Sequence, residues 1–400
     1  MCSNLNIQIF RKKTDNLQQT FQAEIEIGGA PAWVRGSTAL ELKEDVLVDD
    51  DEKKVVVRYT PLGVVGAIVP WNFPVLLAIG KIAPATAAGN CIIVKPSPFT
   101  PYTALKLAEL AIPCFPPGVV QVLGGDDSLG PWMTAHEGID KISFTGSTAT
   151  GKRVAAAAAA TMKRVTLECG GNDPAIVCAS VKDIPAVAAG VATSALLNSG
   201  QICMAIKRVY VQKSIYNEFR DAMVAHVKSL KVGDGFAADT FMGPIQNEMQ
   251  YEKVKGFMKE VSDSGLKLAM GGQHVESAGF FIQPTIVDNP PDSAPIVHQE
   301  PFGPILPLMS FETEEEVIER ANDTDMGLGA SIWSGDEEEA QRMAAQIESG
   351  TVWINHHMDP SPLVPFGGHK ASGMGVEWGI NGLKGMCNSQ TICLSKTAKF

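Results

Sequence analysis

The sequence predicts an α/β protein made of two doubly wound parallel-sheet domains with a small β extension. Three observations carry that prediction. Between residues 64 and 179, short β-branched runs alternate with longer Ala- and Leu-rich segments, which is the rhythm of βαβ units. The strand-like runs are apolar almost throughout instead of alternating, as expected where helices cover both faces of a parallel sheet. A chain of 400 residues also exceeds the size at which a single core keeps growing, so two domains are expected.

Taken in order, residues 64–69, 91–95, 119–123, 141–144 and 165–168 read as strands. Helices are expected between them at 75–88, 101–111, 128–135 and 148–162. The alanine run 155–160 suits a helix whose small side chains pack closely on a sheet. A second series begins after Gly171, with helices at 184–197, 215–230, 248–264, 314–322 and 336–347 and strands at 175–178, 267–270, 330–333 and 351–354. The seam lies near 168–171. Residues 43–59 read differently, as a charged hairpin around Asp49-Asp50-Asp51-Glu52, with a strand near 391–394 as its partner.

Composition narrows the function classes. A net charge of −11 argues against a surface that grips phosphate backbones, so no nucleic-acid partner is expected. The first 20 residues mix polar side chains with Arg11, Lys12 and Lys13 and lack the apolar core of a leader, and no later run reaches the length of a membrane span. The eight cysteines form no CxxC pair, which suits a reduced, cytoplasmic setting. The seven histidines, including the adjacent His356 and His357, do not fall into ligand spacing, and no metal site is expected.

Several short segments carry candidate chemistry, each with a plainer reading beside it. Gly146-Ser147-Thr148-Ala149-Thr150-Gly151 follows a strand and opens a helix, where glycines admit a phosphate and the helix dipole favours its charge. It has neither GxGxxG spacing nor a P-loop lysine, so a helix capped by Ser147 explains it equally well. Lys95 ends a strand, where doubly wound sheets bind ligands, or is simply a solvated charge. In Pro70-Trp71-Asn72-Phe73-Pro74 the asparagine is stiffly held and able to donate to a developing oxyanion, or forms a turn. Gly200-Gln201-Ile202-Cys203 offers a thiol in a turn, as nucleophile or as inert core residue. Glu168-Cys169-Gly170-Gly171 puts a carboxylate at a strand end as general base or surface charge. Glu300-Pro301-Phe302-Gly303-Pro304 suits a sugar hydroxyl and a flat ring, and equally a structural loop.

Together and in this order, PWNFP at 70–74, FTGS at 144–147, LECGGNDP at 167–174, GQIC at 200–203, EPFGP at 300–304 and PFGGHKASGMG at 365–375 resemble the aldehyde dehydrogenase superfamily, of the NAD(P)+-dependent, non-acylating type. The resemblance runs from about Gly63 to the C-terminus, and the joint occurrence is highly specific. It implies Cys203 as nucleophile, Glu168 as general base and Asn72 as oxyanion donor. It further implies Lys95 at the adenosine ribose, Gly146 and Ser147 at the pyrophosphate, Pro70, Trp71, Ser97 and Gly151 along the cofactor, and Glu300 and Phe302 at the nicotinamide ribose and ring. A Rossmann-like dinucleotide-binding domain over 1–42 and 61–168, a catalytic domain over 169–384 and an oligomerisation extension over 43–60 and 385–400 would follow, in a homodimer or homotetramer. Phe73, Leu76, Ile202 and Met204 suggest an apolar channel for an aromatic or aliphatic aldehyde.

The chain departs from the family pattern in three places. Pro98 stands where the family commonly has a glutamate that grips the ribose hydroxyls, so NAD is expected as cofactor with NADP accepted beside it. Gly80 stands where many members carry a large aromatic, which predicts a wider channel. The chain also begins late relative to the family, which predicts a missing packing layer in the cofactor domain. Two other readings compete with the hydrolytic enzyme: a catalytically silent structural or binding protein, disfavoured by retention of Cys203, Glu168 and Asn72, and a CoA-acylating dehydrogenase, disfavoured by Glu168.

Overall fold

A computed structural model of the chain describes residues 19–272 and 279–397. Two units share these residues. Among these residues, one unit comprises 26–168, 360–367 and 374–397, and the other comprises 19–25, 169–272, 279–359 and Gly368–Gly373.

In the first unit, five parallel strands lie in the order Arg164–Glu168, Lys141–Thr145, Val64–Ile68, Cys91–Lys95 and Val120–Val122. Val65 stands between Lys141 and Ile92 in register. Apolar side chains such as Val65, Ile92, Val94, Ile142 and Phe144 are buried, as continuous apolar strands require. The helix Pro74–Ala87 starts on a proline, whose missing N–H costs nothing at that position. Its next two N–H groups, of Val75 and Leu76, donate to Glu26 Oε1 at 2.8 and 2.7 Å. The same unit carries a three-stranded antiparallel sheet in which Lys53–Pro61 is flanked by Asp45–Asp49 and Cys387–Ser395. Cys387–Ser395 is exposed along almost its whole length.

In the second unit, seven strands lie in the order Leu268–Met270, Thr285–Asp288, Ile305–Phe311, Ile206–Gln212, Asp173–Val177, Gly329–Trp333 and Thr351–Ile354. All are parallel except the first, which runs against its neighbour. Helices Ile184–Leu196 and Tyr216–Ser229 pack on one side with Val191, Phe219 and Met223 buried, and Glu248–Asp263 and Glu314–Asn322 contribute Val254 and Val317 to a second cluster.

Several elements depart from the sequence reading, four of them long enough to matter for the architecture. The helix Thr20–Ala39 is not predicted, because Gly28, Gly29, Gly36 and Pro31 within it read as breakers. The strand Ile206–Gln212 is not predicted either, because Lys207 and Arg208 look like surface charges. Thr285–Asp288 and Ile305–Phe311 are also missed, as are the two-residue strands Met326–Gly327, His369–Lys370 and Gly373–Met374.

The partition also differs from the expected domain bounds. Residues 19–25 group with the second unit, where Thr20 N–H donates to Gly235 O and Phe21 stacks on Phe241. Residues 360–367 and 374–384 group with the first, where Phe366 and Glu377 exchange backbone hydrogen bonds and Trp378 packs on Trp33 and Phe366. The expected assignment of residues 1–18, and of 398–400, lies outside the described residues. No described helix is long and apolar enough to cross a membrane, and no cluster of three or more His, Cys, Asp or Glu that could hold a metal occurs among the described residues.

Candidate active site

Cys203 follows a strained turn. After the helix Ile184–Leu196 the chain passes through the left-handed region at Asn198 (φ 53°), Ser199 (φ 56°) and Gly200 (φ 73°). Non-glycine residues there cost free energy that surrounding bonds must offset. The structure supplies them. Gln201 Nε2 donates to Asn198 O at 2.9 Å, Gln201 Oε1 accepts from Gln246 N at 3.0 Å, and Ser199 Oγ donates to Gly243 O at 2.8 Å. Gly200 is required twice over, since a Cβ there would run into the carbonyl of Gly303. The turn therefore packs directly on the Glu300–Pro304 loop, and it leaves Cys203 half-buried.

Two buried side chains hold the carbonyls that follow. Lys207 Nζ donates to Ile202 O at 2.9 Å and to Cys203 O, and pairs with Glu300 Oε1 at 3.2 Å. His357 Nε2 donates to Met204 O at 2.7 Å. Burial holds the imidazole at a pKa of about 3, so the ring is neutral and its N–H is the donor. Glu300 also accepts from Gly171 N at 3.2 Å, and a Cβ at Gly170 would collide with its carboxylate. A Cβ at Gly171 would lie 2.6 Å from Cys203 O. The two glycines of LECGGNDP are thus places where the Cys203 turn and Glu300 approach the backbone.

Gln250 Nε2 secures the other end of that loop by donating to the carbonyls of Pro301 (3.0 Å) and Phe302 (2.9 Å), the latter at φ 50°. Ile202 is buried and Met204 half-buried. Asp173 is fully buried, and neither carboxylate oxygen has a hydrogen-bond partner at normal distance among the described residues. Burial pushes its pKa up to about 8, against the opposing influence of Lys207, the Gly329 N–H and Arg208.

The remaining sequence-predicted residues belong to the first unit. Glu168 ends the strand Arg164–Glu168 in a buried position, its Oε2 accepting from Thr145 Oγ1 at 3.1 Å and its carbonyl from Gly146 N at 3.0 Å. The structure thereby brings Glu168 beside the Gly146 turn. Ser147 caps the helix Thr148–Ala159 by accepting from Thr150 N, and Gly151 lies buried within that helix. Asn72 is buried just ahead of the helix Pro74–Ala87, with Pro70, Trp71, Phe73 and Leu76 half-buried around it. Lys95 and Ser97 are buried at the end of Cys91–Lys95. Burial lowers the Lys95 pKa, with Asp127 and Asp126 opposing it. Beside Gly80 the expected extra width is absent: the Trp378 indole fills the space, its Nε1 2.9 Å from where a Cβ would stand.

Sequence reasoning missed a buried polar cluster in this unit. Lys81 pairs with Glu377 and donates to Ser143 Oγ at 3.0 Å, and Lys141 Nζ donates to Thr166 Oγ1 at 2.6 Å. Burial brings the Lys141 pKa down to about 8. A lone lysine in the otherwise apolar run 74–87 was the available signal.

A family model described as the aldehyde dehydrogenase family matches residues 13–392. The chain is 47% identical over 374 residues to a putative aldehyde dehydrogenase, FUS7, of Gibberella fujikuroi, covering 94% of this chain and 79% of that one. It is 41% identical over 353 residues to retinaldehyde dehydrogenase 3 of Mus musculus, covering 88% and 69%. Among solved structures it matches betaine aldehyde dehydrogenase from Staphylococcus aureus in complex with NAD+, with a TM-score of 0.93 and 32% identity over 100% of this chain and 83% of that one. The chain belongs to the aldehyde dehydrogenase family. It is an oxidoreductase that oxidises an aldehyde to the carboxylic acid with NAD(P)+.

Proposed function

We propose that Cys203 is the nucleophile of this oxidation, Glu168 its general base and Asn72 its oxyanion donor. The observation that carries the reading is the presentation of Cys203, a half-buried thiol on a strained turn stitched in place by Gln201 and Ser199. Cys178, by contrast, is a buried thiol pushed up to about 12, inert at neutral pH.

The Cys203 thiolate attacks the aldehyde carbon, and the Asn72 amide and Cys203 N–H stabilise the oxyanion of the thiohemiacetal. Bound NAD(P)+ supplies the hydride acceptor that turns this adduct into a thioester. Glu168 then takes a proton from water as it attacks the thioester, and the acid leaves Cys203. Half-buried Phe73 and Leu76 in the first unit, and buried Ile202 with half-buried Met204 in the second, are the apolar residues that this reading assigns to an apolar aldehyde.

The residues fit the cofactor. Lys95, a buried ammonium at a strand end, and Ser97 would hold the adenosine ribose; the Gly146 turn, with Ser147, Gly151, Pro70 and Trp71, would take the pyrophosphate side; and Glu300 and Phe302 would hold the nicotinamide ribose and ring. A Cβ at Gly146 would lie 2.6 Å from the Phe144 ring, so only glycine keeps that turn tight against the strand. The first unit thus serves as the cofactor domain and the second as the catalytic domain.

Exposed Pro98 offers no carboxylate to repel a 2′-phosphate, so NADP+ is accepted beside NAD+; a preference for NAD+ of several thousandfold in kcat/KM would count against this. The exposed strand Cys387–Ser395 supports pairing across subunits into a homodimer or homotetramer, which a monomer mass in light scattering would refute. The protein works in the cytoplasm, where its free thiols persist; accumulation in an oxidising compartment would refute that placement.

Glu168→Gln tests the assignment. It keeps shape and loses basicity, so hydride transfer continues while thioester hydrolysis slows about 10²–10⁴-fold. The expected result is an NADH burst near one equivalent per active subunit, with acyl mass on the Cys203 peptide. Steady turnover at the wild-type rate would exclude Glu168 as base, and Cys203→Ala that still turns over would exclude the nucleophile.

A further inference from the structure

The nucleophile turn has its carbonyls gathered on one side. Ile202 O accepts both from Ala205 N at 3.2 Å and from Lys207 Nζ at 2.9 Å, and the same ammonium donates to Cys203 O and, at 3.4 Å, to Ala205 O. Lys207 is 3% exposed on the strand Ile206–Gln212, and its partner Glu300 Oε1 lies 3.2 Å away. The Ile202–Cys203 peptide is trans, and in a trans peptide the carbonyl of one residue and the N–H of the next point in opposite directions. Gripping the Ile202 oxygen therefore aims the Cys203 N–H away from the ammonium.

We propose that Lys207 is a positioning residue that locks the Ile202–Cys203 peptide with its N–H directed at the oxyanion. A flipped peptide would present the Ile202 oxygen to the developing negative charge and turn stabilisation into repulsion. Because Lys207 also holds Glu300, a single ammonium ties the orientation of this peptide to the loop that carries the nicotinamide-ribose carboxylate. The inference rests on the reading of Cys203 as nucleophile.

Two reactions of the same thiol separate this role from a general structural one. Acylation by p-nitrophenyl acetate forms the S–C bond of a thioester and expels p-nitrophenolate through a tetrahedral oxyanion, with no cofactor. Alkylation by iodoacetamide forms a thioether, expels iodide and passes through no oxyanion. Both rates are measured on purified wild type and Lys207→Met at pH values where they have levelled off, so that a change in thiolate fraction drops out.

Acylation of Lys207→Met should fall about 10²–10³-fold, the effect of losing one oxyanion donor, while alkylation changes by no more than about threefold. Lys207→Arg, which keeps a cationic donor, should recover more than half of the loss on a logarithmic scale. Parallel losses in both reactions, or acylation within about threefold of wild type, overturn the proposal. If circular dichroism shows Lys207→Met unfolded, Lys207→Arg and Lys207→Gln carry the same comparison, with acylation expected to fall from Lys to Arg to Gln at constant alkylation. A wild-type label on a cysteine other than Cys203 would instead refute the nucleophile assignment, so the two failures are distinct.

Discussion

Replacing Asp173 with asparagine should flatten the pH dependence of stability. The carboxyl lies fully buried between Gly171 and Gly329, close enough that a Cβ on either glycine would strike it. Burial raises its pKa from 3.8 to about 8, so the folded protein keeps a proton that the unfolded chain has released. A folded pKa raised above the unfolded one gives stability that is complete below pH 3.8 and is lost as pH rises towards about 8. Each pH unit in that window removes about 1.4 kcal/mol, for a total on the order of 5–6 kcal/mol. The asparagine side chain has the same shape and no proton to lose. Urea denaturation of wild type and Asp173→Asn at pH 5.5, 6.5 and 7.5 should therefore diverge by on the order of 3 kcal/mol across the series, with the variant gaining relative to wild type as pH rises. Parallel lines for the two proteins would mean that Asp173 is ionised in the fold, with Lys207 and Arg208 outweighing burial.

Gly200→Ala should lower stability by about 1–3 kcal/mol, because φ 73° is strained for alanine and the Gly303 carbonyl blocks the methyl group. It should also slow iodoacetamide labelling of Cys203; unchanged labelling and melting would show that the turn can relax. Glu26→Ala removes the acceptor of the first two N–H groups of the helix Pro74–Ala87 and should cost about 0.5–2 kcal/mol, read as a lower melting temperature. Because Asn72 lies just ahead of that helix, kcat should fall as well, and an unaltered kcat at reduced stability would show that Asn72 is held by other contacts.

The sequence was most legible where residue type and environment agree. The mostly apolar runs 64–69 and 91–95 read as covered strands, and the structure places strands there within a residue. Ile206–Gln212 was illegible for the opposite reason: a lysine and an arginine interrupt its β-branched run, and only long-range partners make them burial-compatible. The same holds for the site. Cys203, Glu300 and the paired glycines lie in recognisable motifs, because tight turns and close backbone approaches restrict residue type locally. Lys207 and His357 act on carbonyls, which any residue provides, so nothing in the motif announces them. Gly80 shows the limit of reading one position alone, since its missing side chain is replaced in space by Trp378, almost 300 residues away in the chain.

Arg208, the neighbour of Lys207, has a different consequence. Its guanidinium is buried, donating to Asn172 O at 2.9 Å, Arg320 O at 3.1 Å and Ala321 O at 2.8 Å, and to Tyr210 Oη at 3.1 Å. Two of these acceptors are in the last turn of the helix Glu314–Asn322, where the dipole is negative, so backbone carbonyls compensate much of the charge. A planar fork spread over three carbonyls and a phenol has no substitute among the other side chains, and a lysine would leave acceptors bare. Position 208 is therefore restricted to arginine by its acceptors. Any library built on this protein should leave codon 208 untouched, since every other side chain would strand buried carbonyls of two separate segments.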